Sequence, residues 1–263
     1  MAEIKLESID EFVFEDFPRR TESGTRQSLE DHMTFCRCSI NVMFLLDTSQ
    51  SMGCDNGRRI NRLNTVVSCM LEQFRKNAEE SEKDVFVRII AFNDDASWVM
   101  GNMERGVDIH EACYHWLEPS DKGRTNTAAA IRLACTAMRA AYLGPTNVRT
   151  AVILITDGNS NDRLETKKAI EELQNALSRN NDNKENEVLR FAIGIGDYNE
   201  EELEDFAMMG RKEDSFGSEL EHVPMVFCAD IPSDYSSIPS VCCSFVLDDD
   251  LPPEDCVSVI FPI

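Results

Sequence analysis

The chain is short of positive charge and of histidine. Lysine and arginine total 26 against 48 aspartates and glutamates, a formal net charge of -22, and only 4 histidines occur in 263 residues. This shortage disfavours nucleic-acid backbones and anionic membrane surfaces as partners, because both need clustered cations. It favours cations and basic protein surfaces, although solubility alone accounts for the acid equally well. No run approaches the roughly 18 apolar residues that a membrane span needs. The opening Met1-Ala2-Glu3-Ile4-Lys5-Leu6-Glu7 lacks the apolar core of an export signal. No P-loop and no Gly-x-Ser-x-Gly elbow occurs. His32, His110, His115 and His222 fall in no nucleophile–base pattern, so the expectation is a protein that is not an enzyme.

Cysteine is present but not arranged to cross-link. The 10 cysteines are an even number, yet too sparse for a disulfide scaffold. Cys69 and Cys135 fall on the apolar faces of predicted helices, and Cys242 and Cys243 are adjacent. Cys36-Arg37-Cys38 lacks the two-residue spacer of a zinc half-site, and neither Cys54 nor His32 completes a zinc pattern with it. Reduced thiols in a cytoplasmic protein are the expectation.

Hydrophobic residues make up 42% of the chain, enough for a sizeable core. Ile40 to Leu46 is an almost unbroken apolar run, as in a central parallel strand covered on both faces. Val85 to Phe92, Arg149 to Thr156 and Val188 to Gly196 repeat that character. Ser97 to Met100 follows the turn residues Asn93-Asp94-Asp95 and reads as an antiparallel edge strand. Between the strands, Asn61 to Lys76, Thr127 to Tyr142 and Arg163 to Leu177 carry the helical apolar period, and Asn199 caps a short helix. Strands alternating with helices predict an α/β fold. It is a Rossmann-like, doubly wound, mostly parallel sheet with one antiparallel edge strand and helices on both faces.

Three divisions are expected: an acidic and aromatic N-terminal extension over 1–38, the α/β domain over 39–210, and a C-terminal strand, helix and acidic tail over 211–263. Val223 to Cys228 reads as a last strand. Ser236 to Phe245 reads as a final helix with Pro239 in its first turn. Asp248 to Asp250 with Glu254 and Asp255 lack the spacing and glycine of a calcium loop, and read as a solvated tail.

Ligands in such sheets bind beyond the carboxyl ends of the strands. Three oxygen-bearing segments fall there. Asp47-Thr48-Ser49-Gln50-Ser51 follows the first strand, Gly123-Arg124-Thr125-Asn126-Thr127 precedes an alanine-rich helix, and Thr156-Asp157-Gly158 ends a strand. Carboxylates and hydroxyls are hard donors suited to Mg²⁺ or Mn²⁺. Taken singly, Asp47 and Ser49 also fit a helix cap, and Asp157-Gly158 an ordinary turn.

Together, in this order and spacing, the three segments resemble the metal-ion-dependent adhesion site of the von Willebrand factor A domain family. The resemblance spans roughly residues 39–210 and includes Phe92-Asn93-Asp94. It implies a metal site built from Asp47, Ser49, Ser51, Thr125 and Asp157, with a coordination position left open for an acidic side chain of a partner. Gln50 and Arg124 stand where the family often has glycine, and neither change removes a ligand. The implied function is a metal-dependent protein-protein interaction module, an intracellular scaffold or regulator holding a partner's Glu or Asp through Mg²⁺ or Mn²⁺. Leu45-Leu46-Asp47-Thr48-Ser49-Gln50-Ser51-Met52 is similar to the bacterial TerY-like, tellurium-resistance-associated subgroup, which implies a kinase or phosphatase as partner. The alternatives are a subunit working with an AAA+ ATPase of the chelatase or MoxR type, or a metal-dependent hydrolase. Glu11, Glu15 or Asp16 of the extension is a further expected occupant of the metal's open position.

Overall fold

The computed structural model describes residues 39–121, 123–139, 148–176, 188–213, 220–230 and 234–247. The expected strand at Phe12 and Phe14, the metal-directed role for Glu11, Glu15 or Asp16, and the acidic tail after 247 all lie outside these residues.

Six strands form the main path of one sheet. They are β1 (Ser39–Asp47), β2 (Asp84–Phe92), β3 (Ala96–Met100), β5 (Val148–Thr156), β6 (Val188–Gly194) and β9 (Val226–Cys228), ordered β3-β2-β1-β5-β6-β9. The short strand β4 (Val107–Asp108) also pairs with β2. β1 is parallel to both β2 and β5, β5 to β6, and β6 to β9. β3 is the expected antiparallel edge strand, and β4 is a second antiparallel partner of β2. The apolar run Val42 to Leu46 is fully buried because a parallel sheet carries helices on both faces.

Among the described residues, five α-helices complete the fold: α1 (Cys54–Ser81), α2 (Thr127–Arg139), α3 (Arg163–Gln174), α4 (Glu200–Phe206) and α5 (Asp234–Leu247). The crossover from β1 to β2 runs one way across the sheet and that from β2 to β5 runs the other. Right-handed crossovers therefore place α1 on one face and α2 on the opposite one. α5 packs on α1, and α3 packs on α2. In α1 the buried residues Ile60, Leu63, Val67, Met70, Phe74 and Ala78 recur every three to four positions and form one stripe.

Beyond β4, the final helix and the β7–β8 pair depart from the sequence expectation. The final helix begins at Asp234, so Pro239 sits one turn inside it rather than in its first turn. Buried Ile238, Cys242, Cys243, Val246 and Leu247 keep that helix on the core despite the hydrogen bond that proline removes. Secondly, β7 (Met209–Glu213) and β8 (Leu220–Pro224) form a separate antiparallel pair that no apolar alternation announced.

Candidate metal site at the carboxyl edge of the sheet

In the strand order, β1 is where the winding reverses: β2 lies on one side and β5 on the other. A crevice opens beyond the strand ends at such a reversal. Asp47 is the last residue of β1, and Asp157 directly follows β5. Both side chains are fully buried.

The loop after β1 is held by its own backbone. Ser49 N donates to Asp47 Oδ1 at 2.8 Å, which turns the chain back over the carboxylate. Ser49 Oγ and Ser51 Oγ lie 3.0 Å apart, so the two hydroxyls share one hydrogen bond and keep spare lone pairs. Thr48 is spent on structure: its N and Oγ1 both donate to Phe92 O, at 2.8 and 3.0 Å.

The other two segments are tied to this loop. Gln50 N donates to Gly123 O at 3.2 Å, which draws in the stretch before α2. Arg124 N donates to Asp94 Oδ1 at 3.0 Å and Asn126 Nδ2 to Asp94 O at 2.9 Å, so the Asn93-Asp94 turn braces Thr125 from both sides. Asn161 N donates to Thr125 O at 2.9 Å and joins the segment after β5 to the one before α2. The fold thus brings Asp47, Ser49, Ser51, Thr125 and Asp157 to one rim. Thr125 is almost fully buried, and its neighbours Asn126, Arg132 and Asn161 line an adjacent cavity.

Two further residues shape the rim, although the sequence assigned neither a role in it. Thr156 Oγ1 donates to Asp47 Oδ2 at 2.6 Å and accepts from Gly158 N at 3.0 Å. Its position at the end of β5, opposite the end of β1, is the only signal that could have marked it. Arg59 Nη1 donates to Asp157 Oδ2 at 3.4 Å. It stands among Arg58, Arg59 and Arg62, and nothing in the sequence distinguishes these three.

The electrostatics fit a cation. Burial, with a further push from Asp157, lifts the Asp47 carboxyl from 3.8 to about 6, even though Thr156 and Ser49 hydrogen-bond to its charged form. Asp157 Oδ1 is buried and has no hydrogen-bond partner. An orphaned buried carboxylate oxygen is costly unless something positive meets it. Among the described residues no group of three or more His, Cys, Asp and Glu could hold a metal. A cation here would therefore rest on two carboxylates and neutral hydroxyls, a donor set suited to a hard ion.

The model of the family described as von Willebrand factor type A domain matches residues 41–222. No curated protein shows significant sequence similarity. Among solved structures, proximal thread matrix protein 1 from the mussel byssus is similar at 17% identity and TM-score 0.52, covering 81% of this chain and 47% of that one. A second structure of that mussel protein, with a zinc-occupied MIDAS motif, is similar at 17% identity and TM-score 0.51, covering 79% and 46%. BatB from Bacteroides thetaiotaomicron is similar at 16% identity and TM-score 0.43, covering 76% and 96%. The chain spans about half the length of the mussel structures it matches. At such identity the likeness to the mussel protein establishes the fold alone.

Proposed function

The chain belongs to the von Willebrand factor type A domain family, and from that premise we propose that it is a non-catalytic, metal-dependent protein-binding module. Asp47, Ser49, Ser51, Thr125 and Asp157 hold Mg²⁺ or Mn²⁺. The observation that carries this reading is the fully buried Asp157 carboxylate, whose Oδ1 has no partner, beside a second fully buried carboxylate at Asp47. Two such charges call for a cation.

A hard divalent ion bound with only two carboxylates supplies an electrophilic position that a partner's Glu or Asp completes. The chain's own residues do the rest. Ser49 N and Thr156 Oγ1 fix the Asp47 carboxylate, and the Asn93-Asp94 turn fixes Thr125. Thr48 N and Oγ1 both donate to Phe92 O, which ties the loop after β1 to the end of β2.

The partner is a protein presenting an acidic side chain, and the role is that of a scaffold or regulator, of the kind the TerY-like resemblance implies. The free cysteines Cys54, Cys113 and Cys228, all exposed, support a reducing, cytoplasmic setting. No helix among the described residues is long and apolar enough to cross a membrane. The test is calorimetric titration of Mg²⁺ and Mn²⁺ into the protein, then capture of partners with and without EDTA. Binding of metal by the wild type and its loss in Asp47→Ala are expected. A wild type that binds neither ion overturns the reading.

A further inference from the structure

The metal-site reading leaves one charged group unexplained. Arg59 has a side chain only 12% exposed, yet it meets three carboxylates. Its Nη1 lies 3.4 Å from Asp157 Oδ2, its Nη2 3.3 Å from Asp197 Oδ2, and its Nε 3.6 Å from Asp55 Oδ2. Asp157 is fully buried, whereas the Asp197 side chain is fully exposed. The guanidinium therefore reaches from the solvent edge down to the metal rim.

The slot for Arg59 is built by the backbone. Asp55, Asn56 and Gly57 all take left-handed conformations, with φ of 56°, 56° and 75°, before the regular part of α1 begins. Two of these are not glycine, a costly choice that the surrounding structure has to enforce. Arg59 follows directly in the first regular turn. Gly196, at φ +68°, supplies the floor: a Cβ there would stand 2.9 Å from Arg59 Nε.

Resting on the reading above, we propose that Arg59 is a tethered counter-ion for Asp157 that competes with the metal and holds the affinity of the site down. Arg59 partly neutralises one of two buried carboxylates, and it engages only Oδ2, leaving Oδ1 without a partner. A guanidinium does not give up its charge. An incoming divalent ion thus faces an Asp157 already shared with a fixed cation, and it is repelled by that cation at short range. Both effects weaken metal binding. A partner's carboxylate adds the negative charge that offsets the guanidinium, so the site loads best when metal and acidic partner arrive together.

A merely structural arginine gives the opposite signature, because its loss would loosen the rim and weaken binding. The experiment is titration of Mg²⁺ and Mn²⁺ into the full chain as wild type, Arg59→Gln and Arg59→Lys, with thermal melts in EDTA and in excess MgCl₂. Arg59→Gln is expected to bind metal about tenfold tighter or more, equivalent to about 1.4 kcal/mol, and to melt lower than wild type in EDTA with the gap closing in MgCl₂. Arg59→Lys keeps the charge and stays within about threefold of wild type. Unchanged or weaker binding by Arg59→Gln overturns the proposal, as does equal tightening in Arg59→Lys. If Arg59→Gln does not fold in EDTA, recovery of its circular dichroism on adding MgCl₂ supports the proposal and failure to recover overturns it. A wild type that binds no metal is a different result: it removes the metal-site reading and this inference with it.

Discussion

Thr156 Oγ1 lies 2.6 Å from Asp47 Oδ2, joining the ends of two adjacent parallel strands 109 residues apart in sequence. The same hydroxyl accepts from Gly158 N at 3.0 Å, so one side chain orients the Asp47 carboxylate and the turn that follows Asp157. Groups that orient metal ligands matter nearly as much as the ligands do. Thr156→Val should weaken Mg²⁺ binding about ten- to a hundredfold. It should also lower stability by about 2–3 kcal/mol, because it strands a buried acceptor and a buried N–H. Thr156→Ser keeps the hydroxyl and should stay close to wild type. Calorimetry and urea midpoints on the two variants check both parts.

In the proposed metal site, Asp47 should link metal binding to stability through pH. Burial raises its carboxyl from 3.8 to about 6. The folded protein then retains a proton that the unfolded chain releases between about pH 4 and pH 6. The contribution of this group to stability is complete below pH 4 and is lost as pH rises through 6, by about 3 kcal/mol at most. Asp47→Asn removes this cost while destroying the metal site. In EDTA the variant should gain stability over wild type as pH rises from 4.5 to 7.5, the difference between the two proteins isolating Asp47 from other titrating groups. Mg²⁺ affinity of the wild type should fall below pH 6, where the ion has to displace the proton. A wild-type-to-variant difference that stays constant across the window contradicts the assignment.

Gly158 makes a close approach that a side chain would forbid. Its φ is +70°, and a Cβ would lie 2.9 Å from Asn199 N and 3.0 Å from Asn199 O. Both are backbone atoms and cannot step aside. Asn199 N donates to Asp157 O at 3.0 Å, and its side chain caps α4 through Glu202 N. Gly158→Ala should cost about 2–4 kcal/mol by combining left-handed strain with this clash. It should also weaken metal binding by displacing Asp157. Thermal melts and Mg²⁺ titration read the two effects separately.

Legibility in the sequence followed period and burial. β1, β2, β5 and β6 are mostly apolar, interrupted by Asn41, Arg88, Arg149 and Arg190, because helices cover both faces of a parallel sheet. Asp47, Ser49, Ser51, Thr125 and Asp157 were visible because short oxygen donors directly beyond strands, or just before a helix, have few other uses together. The rest was hidden for physical reasons. Arg59 acts through contacts 98 and 138 residues away, which depend on the left-handed run at Asp55, Asn56 and Gly57 rather than on any local pattern. The β7–β8 pair lacks apolar alternation: Arg211, Lys212 and Glu213 are in register with His222, Glu221 and Leu220. Pro239 argued for a later start to α5, whereas burial of Ile238 and Cys242 outweighs the lost bond.

Asn64 is buried in α1, where a polar side chain is costly unless every group finds a partner. Its Nδ2 donates to Leu117 O at 2.9 Å, and its Oδ1 accepts from Leu117 N at 2.9 Å and from Tyr114 OH at 2.6 Å. These bonds fasten the extended stretch after β4 to the helix. That stretch continues to Ser120, whose N donates to Thr48 O at 2.8 Å, and to Pro119, which packs beside Gly53. Asn64 therefore supports the loop after β1 from behind. Asn64→Leu should leave the Leu117 backbone groups and the Tyr114 hydroxyl unpaired and cost about 2–4 kcal/mol. It should raise amide exchange at Leu117 and Ser120 well above that of β1, and weaken Mg²⁺ binding less than Thr156→Val does. Exchange at Ser120 that stays as slow as in wild type would show that the stretch is held without Asn64.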